Sequence, residues 1–199
     1  MKTPLRLQMT EYDCGTVSLL NAFSCLFERE EIPALLVKKI FQYTLDASDE
    51  LGNVGQGGTS CEAVGRLSAW ITRYANSHNF DVICQHLRGE AVTLSAMLEC
   101  LEADGVVFVR CWQRCQHYVI ITKIKDDQAY IFDSYYLPKD YYDNDPQVKI
   151  VLNQPFSYNR VVSLERMFGE SEEDFSLGVI PERECVLINR HNRVSKDSD

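Results

Sequence analysis

The hydrophobic period of this chain changes at Gly105, and that change limits the folds open to it more than any other feature. Upstream, apolar residues recur every three or four positions, the spacing that lays one stripe along a helix. Val17, Leu20, Phe23 and Phe27 form one series within Thr16 to Phe27, and Leu36, Ile40 and Tyr43 form a second within Ile32 to Leu45, where Pro33 suits the first turn. A third opens at Thr59 and Ser60, with Thr59 and Glu62 in capping-box spacing and Val64, Leu67, Ala69 and Ile71 behind them. A short strand is expected over Phe80 to Leu87, then a helix over Thr93 to Ala103 that Gly105 stops. Downstream the residues are β-branched and aromatic: Val106 to Arg110, His117 to Ile124 and Gln128 to Asp133 read as strands, with Asp126 and Asp127 in a turn. Val148 to Leu152 and Cys185 to Ile188 add two more, separated by a short helix around Leu164 to Phe168 and a solvated acidic run from Glu170 to Asp174. Helices first and antiparallel strands afterwards is an α+β order.

Composition narrows the function classes. A chain of 199 residues with 45% hydrophobic and 25% charged residues is expected to form one domain, over residues 1–188, with a polar, frayed tail from Asn189 to Asp199. A net charge of −9 without a basic stripe argues against nucleic acid or an anionic membrane as the main partner. Met1 to Gln8 lacks the apolar core of a signal peptide, and no run approaches the roughly eighteen apolar residues of a membrane span, so a cytoplasmic location is expected. The eight cysteines are accordingly expected to be reduced, most of them as core residues.

Several stretches invite a ligand and are better read as connections. The loop Asp46 to Gly58 is glycine-rich but lacks the lysine of a phosphate-binding loop, and Lys139 to Pro146 is a polar surface loop whose Asp143, Asn144 and Asp145 do not have calcium-loop spacing. Cys111, Cys115 and His117 lie close in sequence but not at the spacing of a zinc finger. No metal and no cofactor is expected.

One cysteine stands apart. Cys14 precedes the first helical run directly, so its thiol meets the positive end of a helix dipole, which favours a thiolate. That effect is only about 0.3–1 kcal/mol, so a nucleophilic Cys14 needs a basic partner. Asp13 next to it would oppose a second negative charge, and its side chain is expected to turn away into a cap or structural contact. Of the four histidines, His78 and His86 flank a surface-like segment and His191 lies in the tail, whereas His117 opens the strand Tyr118-Val119-Ile120-Ile121 that would hold it rigidly. A third group must orient the imidazole. With a three-residue turn over Lys125 to Asp127, His117 lies opposite Tyr135 and Asp133 is its diagonal neighbour on the same face, at roughly 7–8 Å. A two-residue turn would put the two on opposite faces.

The set Gln8, Asp13-Cys14-Gly15 at a helix start, His117 opening a strand and Asp133 on the next resembles the bacteriocin-processing peptidases of family C39. These are papain-like cysteine proteases, many of which cut leader peptides after a double glycine. The resemblance spans about Leu5 to Ser134 and includes the Gly58-Thr59-Ser60 turn into a helix. It implies a papain-like α+β fold with a helical N-terminal lobe packed on a C-terminal antiparallel sheet, and a peptide or protein substrate. It makes Cys14 the nucleophile, His117 the general base and acid, Asp133 the orienting carboxylate and Gln8 an oxyanion-hole donor beside the Cys14 backbone N–H. This chain departs from the family where Ser134-Tyr135-Tyr136 follows the aspartate in place of proline. The same thioester chemistry would also serve an acyltransferase or a deamidase, and the cleft alone could serve a non-catalytic peptide-binding module.

Overall fold

A computed structural model describes residues 1–190. The elements are α1 (Cys14–Leu26), α2 (Ala34–Tyr43), α3 (Cys61–His78), β1 (Ile83–Arg88), α4 (Leu94–Glu102), β2 (Val106–Gln113), β3 (Cys115–Lys125), β4 (Gln128–Phe132), β5 (Val148–Ile150), β6 (Arg160–Ser163), α5 (Leu164–Met167) and β7 (Glu184–Asn189). The strands form one sheet of seven in the order β1-β7-β2-β3-β4-β6-β5, every pair antiparallel. The fold is α+β, as the change of period at Gly105 implies.

The sheet is apolar on both faces because strand residues alternate sides. Phe108, Tyr118, Ile120, Val186 and Ile188 meet Leu20 and Phe23 of α1, Leu36 and Ile40 of α2 and Val64, Leu67 and Ile71 of α3. Val107, Val109, Val119, Ile121, Ile131 and Leu187 face the other way, onto Met97 of α4 and Met167 of α5. Helix α1 lies at the centre and is buried nearly all round, so its polar residues need internal partners. Ser18 Oγ donates to the Tyr118 carbonyl at 2.9 Å, Thr16 and Thr44 share a hydroxyl contact at 2.7 Å, and Asn21 exchanges two hydrogen bonds with the Arg6 backbone at 2.8 and 2.9 Å. The first of these bonds fastens α1 to β3, and the last fastens the N-terminal segment to α1.

Several local expectations change. Ser60, not Thr59, caps α3, accepting from Ala63 N–H, while the Thr59 hydroxyl accepts from Leu45 N–H. Strand β2 continues to Gln113 and β3 begins at Cys115, because Arg114 takes φ 61° and turns the chain in one residue. Strand β6 falls in a stretch where no strand is expected; at four residues it is too short to show a period. Asn189 closes β7 opposite Ile83, and the rest of the expected tail from residue 191 lies outside the described residues.

The β3–β4 turn is the correction that matters for the site. It has two residues, Asp126 and Asp127, both with positive φ, and Lys125 pairs with Gln128. Uninterrupted, that register would separate His117 from Asp133. The ladder shifts between Ile121 and Lys123, however, so that Ile124 faces Ala129 while Ile121 faces Ile131. Thr122 is the extra residue of this β-bulge, and it returns the register to the one a three-residue turn would have given. Ile121 and Ile124, three residues apart, consequently both face inward. Among the described residues no helix is long and apolar enough to cross a membrane.

Candidate functional site

The N-terminal segment, α1, β3 and the end of β4 converge on one locus. Cys14 is the first residue of α1 and is buried, ahead of the first helical hydrogen bond, from Val17 N–H to the Asp13 carbonyl. The Asp13 side chain turns back, accepting from Met9 N–H at 3.1 Å, Thr10 N–H at 2.9 Å and the Thr10 hydroxyl at 2.9 Å. That removes the carboxylate from the thiol. Gly15 is wedged between Thr59, just ahead of α3, and β3: a Cβ there would meet Thr59 Oγ1 at 2.7 Å and Tyr118 Cδ2 at 3.3 Å. The residue after Cys14 therefore lies beside the residue after His117.

His117 Nε2 lies 2.8 Å from Asp133 Oδ1, and both groups are buried. Asp133 Oδ1 also accepts from Tyr135 N–H at 2.8 Å, while Oδ2 accepts from Gln113 Nε2 at 2.9 Å and faces Arg160 Nη2 at 3.5 Å. Asn159 clamps the Asp133 backbone, its Oδ1 accepting from Asp133 N–H at 2.8 Å and its Nδ2 donating to the carbonyl at 2.7 Å. With Nε2 engaged, the other ring nitrogen of His117 is left for Cys14.

The electrostatics follow from this packing. Burial alone would depress the His117 imidazolium; the Asp133 charge and hydrogen bond, and Cys14 as a hydrogen-bonding and charged neighbour, overcome it and raise His117 from 6.5 to about 10. Burial alone would raise Asp133; His117, then Arg160 and Tyr135 N–H, hold it below the usual carboxylate range instead. The pair is an imidazolium and a carboxylate at neutral pH. Such a site can hold a charged histidine beside a sulfur and deliver its proton.

Gln8 reaches the same locus by a different route. Its N–H donates to the Ser134 carbonyl at 2.9 Å and its Oε1 accepts from Ser134 Oγ at 3.0 Å, while its Nε2 donates to the Thr10 carbonyl at 2.7 Å. One of its two amide hydrogens is thus committed to its own loop. A cavity of about 110 Å³ opens beside His117, lined by Glu11, Arg114, Cys115, Tyr135 and Tyr141 among others. Gln113, Asn159 and Arg160 escaped the reading of the sequence. Gln113 sits in the segment weighed for zinc, and Arg160 carries the signal of a charge heading an apolar pair, Val161-Val162, in a strand too short to recognise. Cys111 is buried and Cys115 exposed.

A second polar knot lies on the opposite side of β3. Glu184, at 1% exposure, accepts from His86 Nε2 and from the Tyr118 hydroxyl, both at 2.8 Å, and Arg110 Nε is 3.7 Å from its Oε2. Cys61 Sγ, at the first turn of α3, belongs to the same knot: the three donor atoms of Cys61, His86 and Glu184 lie within 4.8 Å of one another. The sequence pattern places His86 beside a surface-like segment; in the fold it is half-buried against α3.

No family model and no curated protein matches the chain significantly. Among solved structures it is similar to the crystal structure of a double glycine motif protease from an AMS/PCAT transporter in complex with the leader peptide, at 15% identity and a TM-score of 0.46, over 95% of this chain and 92% of that one.

Proposed function

We propose that the protein is a cysteine peptidase in which Cys14 is the nucleophile, His117 the base and acid, Asp133 the group that orients and charges the histidine, and Gln8 an oxyanion donor. The observation that carries this reading is the buried His117–Asp133 pair, 2.8 Å long, with Cys14 acting on the same imidazole. Cys14 Sγ attacks the carbonyl carbon of a peptide bond and its proton resides on His117. The oxygen that becomes negative is met by the Cys14 N–H, which precedes the first helical bond, and by the free amide hydrogen of Gln8. The C–N bond breaks as His117 gives its proton to the leaving amine, which leaves a thioester on Cys14. Water then attacks the thioester, His117 takes its proton, and a carboxylic acid product departs as Cys14 is regenerated.

A peptide is the fitting substrate because the surface next to Asp133 is apolar and open. Leu5, Leu7, Tyr136, Leu152 and Pro155 line a groove of about 200 Å³ there, with Leu7, Tyr136 and Leu152 exposed. Substrate processing of the leader-peptide kind is the form of this activity that the sequence resemblance favours.

Labelling tests the thiol against a built-in reference. Cys115 is exposed and 7% of Cys14 is accessible, so exposure alone favours Cys115. With a small haloacetamide at neutral pH and peptide mapping, Cys14 is expected to react faster than Cys115, and His117→Ala to lose about 10²-fold or more of that advantage. Cys14 reacting no faster than Cys115 in the wild type would end the proposal.

A further inference from the structure

We infer that Cys61, His86 and Glu184 form a binding site for a borderline-soft divalent cation of the zinc class, separate from the Cys14 site. The inference starts from the donor set. A thiolate, an imidazole and a carboxylate are the three side-chain ligands that zinc takes, at about 2.0–2.3 Å. Three donors at that distance from one ion stand roughly 3.3–3.7 Å apart. Here they lie within 4.8 Å of one another, with His86 Nε2 and Glu184 Oε1 at 2.8 Å, so a shift of the order of an ångström in side chains brings them to one sphere. Among the described residues this is the one group of three such donors that could share an ion.

The frame around the donors is built. Cys61 is at the start of α3, His86 is on β1 and Glu184 on β7, which pair with each other in register. Gly65, one turn along α3 from Cys61, makes room for the ring: a Cβ there would lie 3.0 Å from His86 Nδ1. The two oxygens of Glu184 are also divided. Oε1 faces His86, while Oε2 accepts from the Tyr118 hydroxyl at 2.8 Å and faces Arg110 Nε at 3.7 Å. Hydrogen bonds to the non-ligating oxygen are what orient a metal-bound carboxylate. Arg110 is held on that side, bonded to Gln116 Oε1 and the Glu182 carbonyl, so it does not occupy the space between the three donors.

A buried salt-bridge knot would need only Glu184, Arg110 and Tyr118. Without an ion the Cys61 thiol is a weak donor to the Glu184 carboxylate and the least engaged member of the group. A cation changes that: the Cys61 S–H proton leaves to solvent, or to its buffer, as the sulfur–metal bond forms, and the thiolate and Glu184 then balance a double positive charge. Access runs along His86, whose side chain is 19% exposed against 1% for Glu184. The fourth position falls to solvent on that side. The ion would tie α3, β1 and β7 together, three segments distant in sequence.

Cobalt(II) is the probe, since a cobalt–thiolate bond absorbs in the near ultraviolet and reports sulfur ligation directly. The metal-free full chain, titrated with cobalt(II), is expected to take up one equivalent with that absorption, and zinc to displace it. Cys61→Ser should abolish the absorption, Tyr118→Phe should weaken binding about 10–100-fold through the outer hydrogen bond, and Cys14→Ala should leave both unchanged. Circular dichroism identifies any variant that fails to fold. His86→Gln, which keeps a polar side chain of similar reach, then replaces it and should also lose binding. No absorption in the wild type, or absorption lost with Cys14→Ala and kept in Cys61→Ser, overturns the inference. Neither outcome bears on whether Cys14 is a nucleophile.

Discussion

His117 sits under two opposed influences, and the balance between them can be read from pH. Desolvation is the largest single influence and acts against the imidazolium, but the charge and hydrogen bond of Asp133 and the neighbouring Cys14 together outweigh it, so the ring holds its proton until about pH 10. A base whose pKa is raised keeps its ion pair at lower pH and loses it as pH rises through the folded value, so the alkaline limit of activity belongs to His117. Asp133→Asn removes the charge and leaves an oxygen that can still accept from Nε2–H. We expect kcat/KM for a peptide substrate to fall about 10²–10⁴-fold and its alkaline limb to move to lower pH. A drop in rate with the limb in place would mean that Asp133 only shapes the pocket. Arg160, 1% exposed and 3.5 Å from the same carboxylate, keeps its bonds to the Asn159 and Tyr135 carbonyls but loses its charge partner in this variant, so the fold is checked by circular dichroism before rates are compared.

At the scale of elements, the site depends on how closely α1 approaches β3 and α3. Gly15→Ala places a Cβ 2.7 Å from Thr59 Oγ1 and 2.9 Å from Thr59 Cβ, distances that force α1 or the segment leading into α3 to move. We expect a loss of about 1–3 kcal/mol in stability and slower labelling of Cys14. In a Thr59→Gly background the same substitution should cost at least about 0.5 kcal/mol less, and equal costs in both backgrounds would show that this contact is not the cause. The elements that make the locus were legible in the chain: Cys14 at a helix start and His117 on a strand both follow from local pattern. The pairing of His117 with Asp133 was reached through the wrong turn. A bulge at Thr122 leaves no local trace, because Ile121, Thr122, Lys123 and Ile124 are all acceptable strand residues whichever way they face. Residues such as Gln113, Asn159, Glu184 and Arg160 were illegible for a related reason. A polar side chain is useful in a core only through partners far along the chain, and Asn159 and Arg160 find theirs at Asp133 across a sheet whose β6 has four residues.

For the whole molecule, the thiols set an alkaline boundary on the fold. Among the described residues the eight cysteines are free, and six of them, Cys25, Cys61, Cys84, Cys100, Cys111 and Cys185, are pushed upward chiefly by burial. Cys100 rises to about 11, and Cys25 and Cys185 to about 12, from an ordinary value of 9.0. A raised acid contributes stability that is intact below its unfolded pKa and is lost as pH climbs towards the folded one. Unfolding above pH 9.0 therefore releases protons that the native state retains, and each such thiol steepens the fall in stability by up to about 1.4 kcal/mol per pH unit. Several act together, because they share one sheet and its two apolar layers. Urea unfolding in the presence of reductant should show a free energy that declines above about pH 6.5, where His117 begins to lose its advantage, and falls more steeply between pH 9 and pH 11, where the thiols join it. A disulfide-exchange chromophore should count five more reactive thiols in urea than in the native protein once Cys14, Cys61 and Cys115 are replaced by serine. His117 contributes in the same direction but earlier: with its value raised from 6.5 to about 10, its stabilisation is complete below pH 6.5 and fades between there and about pH 10, so His117→Gln should flatten that part of the profile and leave the thiol-driven drop towards pH 11 in place. A flat profile through pH 11 would mean that these thiols ionise as readily inside the protein as outside it, which the packing around Val107, Cys111 and Cys185 does not allow.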